Sequence, residues 1–200
     1  MKLSLFKGFL ALIVLSASSP ALAKGERYGA SFQQLSFDGT TIDAGETGSG
    51  DVLRFGLVHT RPIDENSNRW RWWFGLNYLA TDIEAPKNGV YQEVSNLEFR
   101  LVPQYAFGTL EWLTPYIGVG LSAGYSQYSN RFPVDSDGFK YGDQLEDESK
   151  FEFGAVFNLG TVIKIGSNPD AHLQLIPNVS YIQPMNDGLG GIELSFALLF

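Results

Sequence analysis

Two histidines are the residues of this chain best suited to act as a general base at neutral pH. His59 is followed by Thr-Arg and His172 by Leu-Gln, so neither has a serine two residues on. A serine nucleophile for acyl hydrolysis or transfer needs a base within hydrogen-bond distance. We therefore predict no catalytic residue.

An acidic segment at 129–149 is the other place where spacing could indicate chemistry, because it contains Asp135-Ser136-Asp137-Gly138. A calcium loop of the EF-hand type needs a D-x-[DN]-x-[DN]-G pattern with a glutamate six residues on. Here the glycine comes too early and Lys140 intervenes. The chain also lacks a phosphate loop, zinc-ligand spacing and a dinucleotide fingerprint. We predict no metal site and no cofactor, and interpret the segment as a solvated acidic loop.

Nine charged residues recur at alternate positions, opposite aromatic and aliphatic side chains. They are Arg27, Arg54, Arg69, Arg71, Glu98, Arg100, Glu152, Lys164 and Glu193. Charges that share one enclosed face must be paired. We predict a salt-bridged polar interior in which Glu98 and Arg100 pair with neighbouring strands, with Arg71 as one candidate partner. A narrow ion path is the alternative.

Eight segments of alternating polarity must position these charges. They are 26–37, 51–60, 69–80, 94–107, 115–128, 150–165, 171–183 and 190–200. Period-2 alternation indicates β-strands with one apolar face, in a soluble sandwich or in a membrane barrel. Lengths of about 10–15 residues favour the barrel, since soluble strands average about 5–6 and spanning strands need about 9–11. In strand 1 the alternation slips near Gln34, which predicts a bulge.

The predicted fold is all-β: an eight-stranded antiparallel up-and-down transmembrane β-barrel. Its odd connections, at 38–50, 81–93, 129–149 and 184–189, are on the whole longer and more acidic than the even ones, at 61–68, 108–114 and 166–170. Long outward loops and short inward turns are typical of outer-membrane barrels. Aromatic residues are expected to gather at the two membrane interfaces. They are Trp70, Trp72, Tyr105, Phe107 and Tyr116 at the periplasmic interface, and Tyr78 and Tyr125 at the outer one.

Composition and the N-terminus narrow the functional classes. Residues 1–23 have a basic start, an apolar run and an Ala-Leu-Ala site, which predicts a secretory signal peptide followed by a barrel domain at 24–200. Without Lys2 and Lys7, 12 basic and 22 acidic residues remain, a net charge of −10 that argues against nucleic acid as a partner. The chain has no cysteine, so no disulfide stabilises it.

The signal peptide, the eight strands, the Pro-Tyr-Ile-Gly-Val-Gly opening of strand 5 at 115–120 and the final Phe200 resemble the small OmpA/OmpX-like outer-membrane β-barrel superfamily. The resemblance implies a location in the cell outer membrane, in contact with its lipid and lipopolysaccharide. It also implies recognition of the last strand, ending in Phe200, by the barrel-assembly machinery. We expect a monomer without enzymatic activity and with a plugged polar lumen.

Function on such a scaffold is expected in the outward loops, in a structural or surface-interaction role. The segment 129–149 is the main candidate surface, with Phe139 and Tyr141 as anchors. Alternatively, its aromatic rings fold back over the barrel mouth. Two other functions stay open by resemblance: a narrow OmpW-like channel for small or hydrophobic solutes, and a lipid A-modifying enzyme.

Overall fold

A computed structural model describes residues 25–43, 46–64, 67–83, 89–107, 112–166 and 173–200, and in this part of the chain eight antiparallel strands form a closed barrel. The strands are β1 Arg27–Asp43, β2 Glu46–Asp64, β3 Ser67–Ile83, β4 Val90–Ala106, β5 Leu113–Pro133, β6 Glu148–Ile165, β7 Leu173–Pro184 and β8 Gly191–Leu199. Each strand pairs with its sequence neighbours, as predicted. The proposed signal peptide at 1–23 lies outside the described residues.

The barrel closes where β1 pairs with β8. The register runs from Gly29 opposite Leu199 to Ser36 opposite Ile192. Beyond the ladder, the Phe200 N–H donates to the Tyr28 carbonyl at 2.9 Å, and the Tyr28 N–H donates to the Phe200 carbonyl at 3.2 Å. Closure removes the unpaired sheet edges that would otherwise expose backbone donors and acceptors.

Large apolar side chains cover the outside of the barrel and small ones make room inside. Phe153 and Phe196, for example, are 52% and 57% exposed on the outer face. On β5, Gly118 and Gly124 face inward, and a Cβ at either would press on the inward side chains of Asn158 or Asn96. Across the described residues, no helix is long and apolar enough to cross a membrane.

The interior is layered along the barrel axis. We call the end with the β1–β2, β3–β4, β5–β6 and β7–β8 connections the loop end, and the opposite one the terminus end. Along β4, Val94 belongs to an apolar cluster toward the loop end and Val102 to a second one toward the terminus end. Between them, Glu98 and Arg100 are 5% and 4% exposed. A charged layer therefore lies between two apolar ones.

Two local predictions were wrong. The pairing of β1 with β2 is regular from Arg27 to Phe37, so the predicted bulge near Gln34 is absent there; the alternation continues, with Gln34 outward and Leu35 and Phe37 inward. Tyr116 is 1% exposed and faces inward, not toward an interface. It shares the phase of the inward Gly118, and the absence of a side chain at Gly160 leaves space for its hydroxyl.

Several strands extend beyond their predicted ends, whereas β8 is shorter by one residue at each end. β1 and β2 continue through most of the expected loop 38–50, and β2 and β3 through most of 61–68. Backbone pairing continues past the apolar pattern because an antiparallel hairpin gains ladder hydrogen bonds whatever its side chains are. The longest connection that the structure describes is therefore the β5–β6 segment, 134–147.

Candidate functional site

Four buried charges form a closed network in the middle of the interior, which we call the central ionic cluster: Arg54, Glu98, Arg100 and Glu193. Arg100 binds Glu193 bidentately, with N–O distances of 2.6 and 2.8 Å, and its Nε donates to Glu98. Arg54 lies 3.3 Å from Glu193 and 3.4 Å from Glu98. Each arginine contacts both glutamates, so the formal charges of the cluster cancel.

Amide side chains surround the central ionic cluster. The Asn77 side-chain amide donates to Glu98 Oε1 at 3.0 Å, and its oxygen accepts from Gln33 at 2.7 Å. Arg54 also donates to the Asn96 oxygen at 3.4 Å, and Asn96 donates to Ser126 at 2.8 Å. These bonds hold the charged groups in place and replace part of the hydration lost on burial.

The predicted partners of Glu98 and Arg100 were wrong. Arg71 donates instead to Gln104 at 2.6 Å, and its guanidinium lies 4.5 Å from the Tyr116 ring centroid. The true partners lie on β2 and β8 and on β4 itself. In a narrow barrel long side chains meet across the interior, so adjacency within the sheet does not limit pairing.

The other predicted inward charges divide by position. Glu152 is buried on β6, and Arg71 is partly buried. Arg27 is also partly buried, whereas Arg69 and Lys164 are exposed near the terminus end. The structure therefore brings together four of the nine predicted residues, and the prediction of a polar interior with paired charges is confirmed for these four.

Glu152 holds the short β7–β8 connection, 185–190, at the loop end through a hydrogen bond. It accepts a hydrogen bond from the Tyr128 hydroxyl at 2.6 Å and from the Leu189 N–H at 3.3 Å. Leu189 is 4% exposed and joins the apolar cluster at this end. A cavity of about 10 Å³ lies beside Glu98 and Glu152, room for about one water molecule. Strand periodicity could not reveal this contact, because Leu189 lies outside any strand.

Replacing Glu152 with alanine is expected to loosen the 185–190 segment. The Leu189 amide would lose its acceptor, and a net hydrogen bond to a charged group contributes about 1.5–3 kcal/mol. Hydrogen exchange at Leu189 should accelerate roughly tenfold or more. Glu152→Gln, which keeps an acceptor oxygen, is the matched control and should exchange more slowly than the alanine variant. Equal exchange in wild type and Glu152→Ala would contradict the fastening role.

The β5–β6 segment presents two aromatic rings to solvent. Phe139 is 71% exposed and Tyr141 57% exposed, so these two rings do not fold back over the barrel mouth. The Asp135 carboxylate accepts from the N–H groups of Asp137 and Phe139, both at 2.9 Å. Across the described residues no group of three or more His, Cys, Asp or Glu side chains is arranged to hold a metal ion.

Two solved structures of the same architecture give a TM-score of 0.50 with this chain. The N-terminal β-barrel domain of Pseudomonas aeruginosa OprF is similar with a TM-score of 0.50 and 11% identity, over 90% of this chain and 100% of that domain. The chain has the fold of the small OmpA/OmpX-like outer-membrane β-barrels. The outer membrane protein OprG of Pseudomonas aeruginosa is similar at 0.50 with 16% identity, over 87% of this chain and 90% of that one.

Ail, the attachment invasion locus protein of Yersinia pestis, gives a TM-score of 0.46 and 12% identity, over 88% of this chain and 96% of that one. No protein-family model and no curated protein matches the chain. At identities of 11% and 16%, the similarity to OprF and OprG shows the fold alone.

In this barrel, His59 lies near the terminus end of β2. Its ring stacks on Tyr28 at a centroid distance of 4.3 Å and on Phe74 at 5.5 Å. Tyr28, His59 and Phe74 are cross-strand neighbours on β1, β2 and β3. The imidazole ring therefore packs between two aromatic rings. His172 lies outside the described residues. The absence of a catalytic role for either histidine stays a prediction.

Proposed function

We propose that this protein is a non-enzymatic barrel of the bacterial outer membrane. In this proposal the lumen is plugged and the function lies in surface interactions of the β5–β6 segment. The strands supply a rigid scaffold in the bilayer, and the connections at the loop end face the outside of the cell. Lipid and lipopolysaccharide then contact the apolar outer face.

The outer face supports the membrane location. Large apolar side chains on all eight strands point away from the interior, and Leu121, Phe151 and Ile192 are 60%, 66% and 56% exposed. Soluble monomers rarely expose one contiguous apolar patch beyond a few hundred Å². A belt around the whole barrel suits lipid as its surroundings.

The interior supports a plug. The central ionic cluster is linked across the lumen and lies between two apolar clusters. A solute would have to separate the bidentate Arg100–Glu193 pair and displace buried side chains such as Leu35 and Leu199, both 0% exposed. The cavity beside Glu152, at about 10 Å³, is too small for a solute. These features favour the plug over the narrow OmpW-like channel.

The exposure of Phe139 and Tyr141 is the observation that carries the surface role. Burying a ring of this size lowers the free energy, so a purely solvating loop would not display two such rings. Loops on a rigid scaffold are the usual place for recognition.

Replacing residues 135–146 with a short Gly/Ser turn tests this role. Binding of expressing bacteria to cultured cells or to matrix-coated plates should fall to the level of cells that lack the protein. Stability in urea should change little, because the strands and the central ionic cluster are retained. A variant with Gly/Ser in place of the half-buried Thr81 and the exposed Asp82, near the loop end of β3, controls for altered surface chemistry.

Two measurements together, stability in urea and binding of bacteria, would contradict this role. If the replacement lowers stability sharply while binding is unchanged, the segment acts as a lid and carries no recognition. The proposed function would then be wrong even though the fold is correct.

A further inference from the structure

The β5–β6 segment holds its two exposed rings on an ordered backbone. Val134 and Lys140 form a β-bridge, and the Asp135 N–H donates to the Phe139 carbonyl at 3.0 Å. The Tyr141 N–H donates to the Pro133 carbonyl at 3.0 Å. Hydrogen bonds therefore fix the backbone on both sides of the rings, and a partner that binds them would not have to order this stretch first.

The lysine of this segment is exposed, and its ammonium group lies against aromatic rings of β4 and β5. Lys140 Nζ lies 3.2 Å from the centroid of the Tyr91 ring and 5.6 Å from that of Phe132. Because Lys140 pairs with Val134 as in a strand, its neighbours Phe139 and Tyr141 point to the opposite side. The Tyr91 and Phe132 rings therefore hold the ammonium group on the side opposite to Phe139 and Tyr141.

A nearby arginine is also engaged away from that surface. Arg131 is 5% exposed, and its Nη1 donates to the Glu146 carbonyl at 3.0 Å and to the Glu148 carboxylate at 2.7 Å. Asp137, Asp143 and Asp147 are exposed. The described part of the segment therefore exposes two aromatic rings and three aspartates. The Arg131 guanidinium is paired with Glu148, and the Lys140 ammonium lies on the Tyr91 ring.

We propose that this surface binds a cationic polypeptide segment in which lysine or arginine flanks an apolar side chain; this inference rests on the proposed surface role. The rings offer apolar contact and cation–π attraction, and the carboxylates attract positive charge and raise the association rate. An anionic polysaccharide or lipid headgroup would meet like charge. The combination of aromatic rings with carboxylates, rather than acidity alone, determines which partner binds.

The test uses the full barrel in nanodiscs of zwitterionic lipid and two labelled peptides. One peptide is rich in lysine and glycine with a single leucine, and the other has glutamate in place of lysine. Fluorescence anisotropy should show binding of the lysine peptide, weakened by added salt, and much weaker binding of the glutamate peptide. The barrel with 135–146 replaced gives the background.

Variants locate the binding surface. Phe139→Ser with Tyr141→Ser should lower the affinity for the lysine peptide by about tenfold or more. Asp143→Asn should lower this affinity less and should reduce its dependence on salt. Asp82→Asn, the same change at an exposed position on β3, is the matched control and should bind like wild type. Unchanged binding in the Phe139/Tyr141 variant would overturn the proposal.

Two further outcomes separate the possible errors. If the barrel ignores the lysine peptide but binds lipopolysaccharide micelles in magnesium, reversed by EDTA, the partner is a metal-bridged anionic lipid and the proposal is wrong. If both peptides bind equally while the 135–146 replacement still abolishes binding to cells or matrix, the segment is a recognition surface but its cationic partner is wrong. Failure of the replacement experiment itself would instead contradict the proposed function.

Discussion

Replacing Glu98 with alanine is expected to destabilise the barrel by about 3–5 kcal/mol, the cost of leaving a buried charge unpaired. Glu98 accepts hydrogen bonds from Arg100, Arg54 and Asn77. Its removal leaves two buried arginines to share one carboxylate, Glu193, so the central ionic cluster gains a net positive charge. Urea unfolding of the protein in lipid vesicles would measure the loss.

Leu97→Ala is the matched control, since Leu97 is the preceding residue on β4, points outward and is 50% exposed. Leu97→Ala removes contacts on the outer face without disturbing the interior. It should lower the free energy of unfolding clearly less than Glu98→Ala does. Equal or reversed losses would mean that water reaches Glu98. That result would contradict the plugged lumen and favour a channel.

Replacing Gly191 with alanine is expected to impair closure of the barrel. Gly191 begins β8 with a φ of +146°, a conformation that costs a residue with a side chain about 1–3 kcal/mol. A Cβ there would also collide with the Ser36 carbonyl oxygen and approach Phe37 Cα at 3.0 Å. Because both are backbone atoms of β1, the strand itself must shift, at a further cost of about 1–3 kcal/mol.

The yield of folded barrel, seen as the heat-modifiable band on a gel, should fall sharply in Gly191→Ala. Gly50→Ala provides the control: a Cβ at Gly50 would meet the Phe37 ring at 3.5 Å, an ordinary contact. Its yield should be close to that of wild type. A normal yield for Gly191→Ala would show that β8 can close against β1 in another geometry.

Sequence periodicity predicted the number of strands and nearly every side-chain direction. On β4, for example, Asn96, Glu98, Arg100 and Gln104 are all buried, as the alternation requires. This success has a simple physical basis, because a strand with different surroundings on its two faces imposes a period of two on polarity.

The wrong predictions followed residue type where the phase of the strand decides the direction of a side chain. They followed adjacency in the sheet where the distance across the lumen decides the partner. Tyr116 was placed at an interface because it is aromatic, although its phase with Gly118 points it inward. Leu35 and Phe37 suggested a slip because inward residues were expected to be polar, whereas the interior also contains apolar layers. The partners of Glu98 depend on which side chains meet across the lumen, information that alternation along one strand does not contain.

The central ionic cluster has a consequence for how the strands find their alignment. A slip of one residue exchanges the two faces of a strand and is opposed by the whole apolar pattern. A slip of two residues keeps every side chain on its proper face, so that pattern cannot detect it. Such a slip at β8 would move Glu193 by about 7 Å and separate it from Arg54 and Arg100, which are 139 and 93 residues away in the chain. The four charges therefore complement the apolar pattern. Apolar alternation disfavours a slip by an odd number of residues, and ion pairing disfavours a slip by an even number.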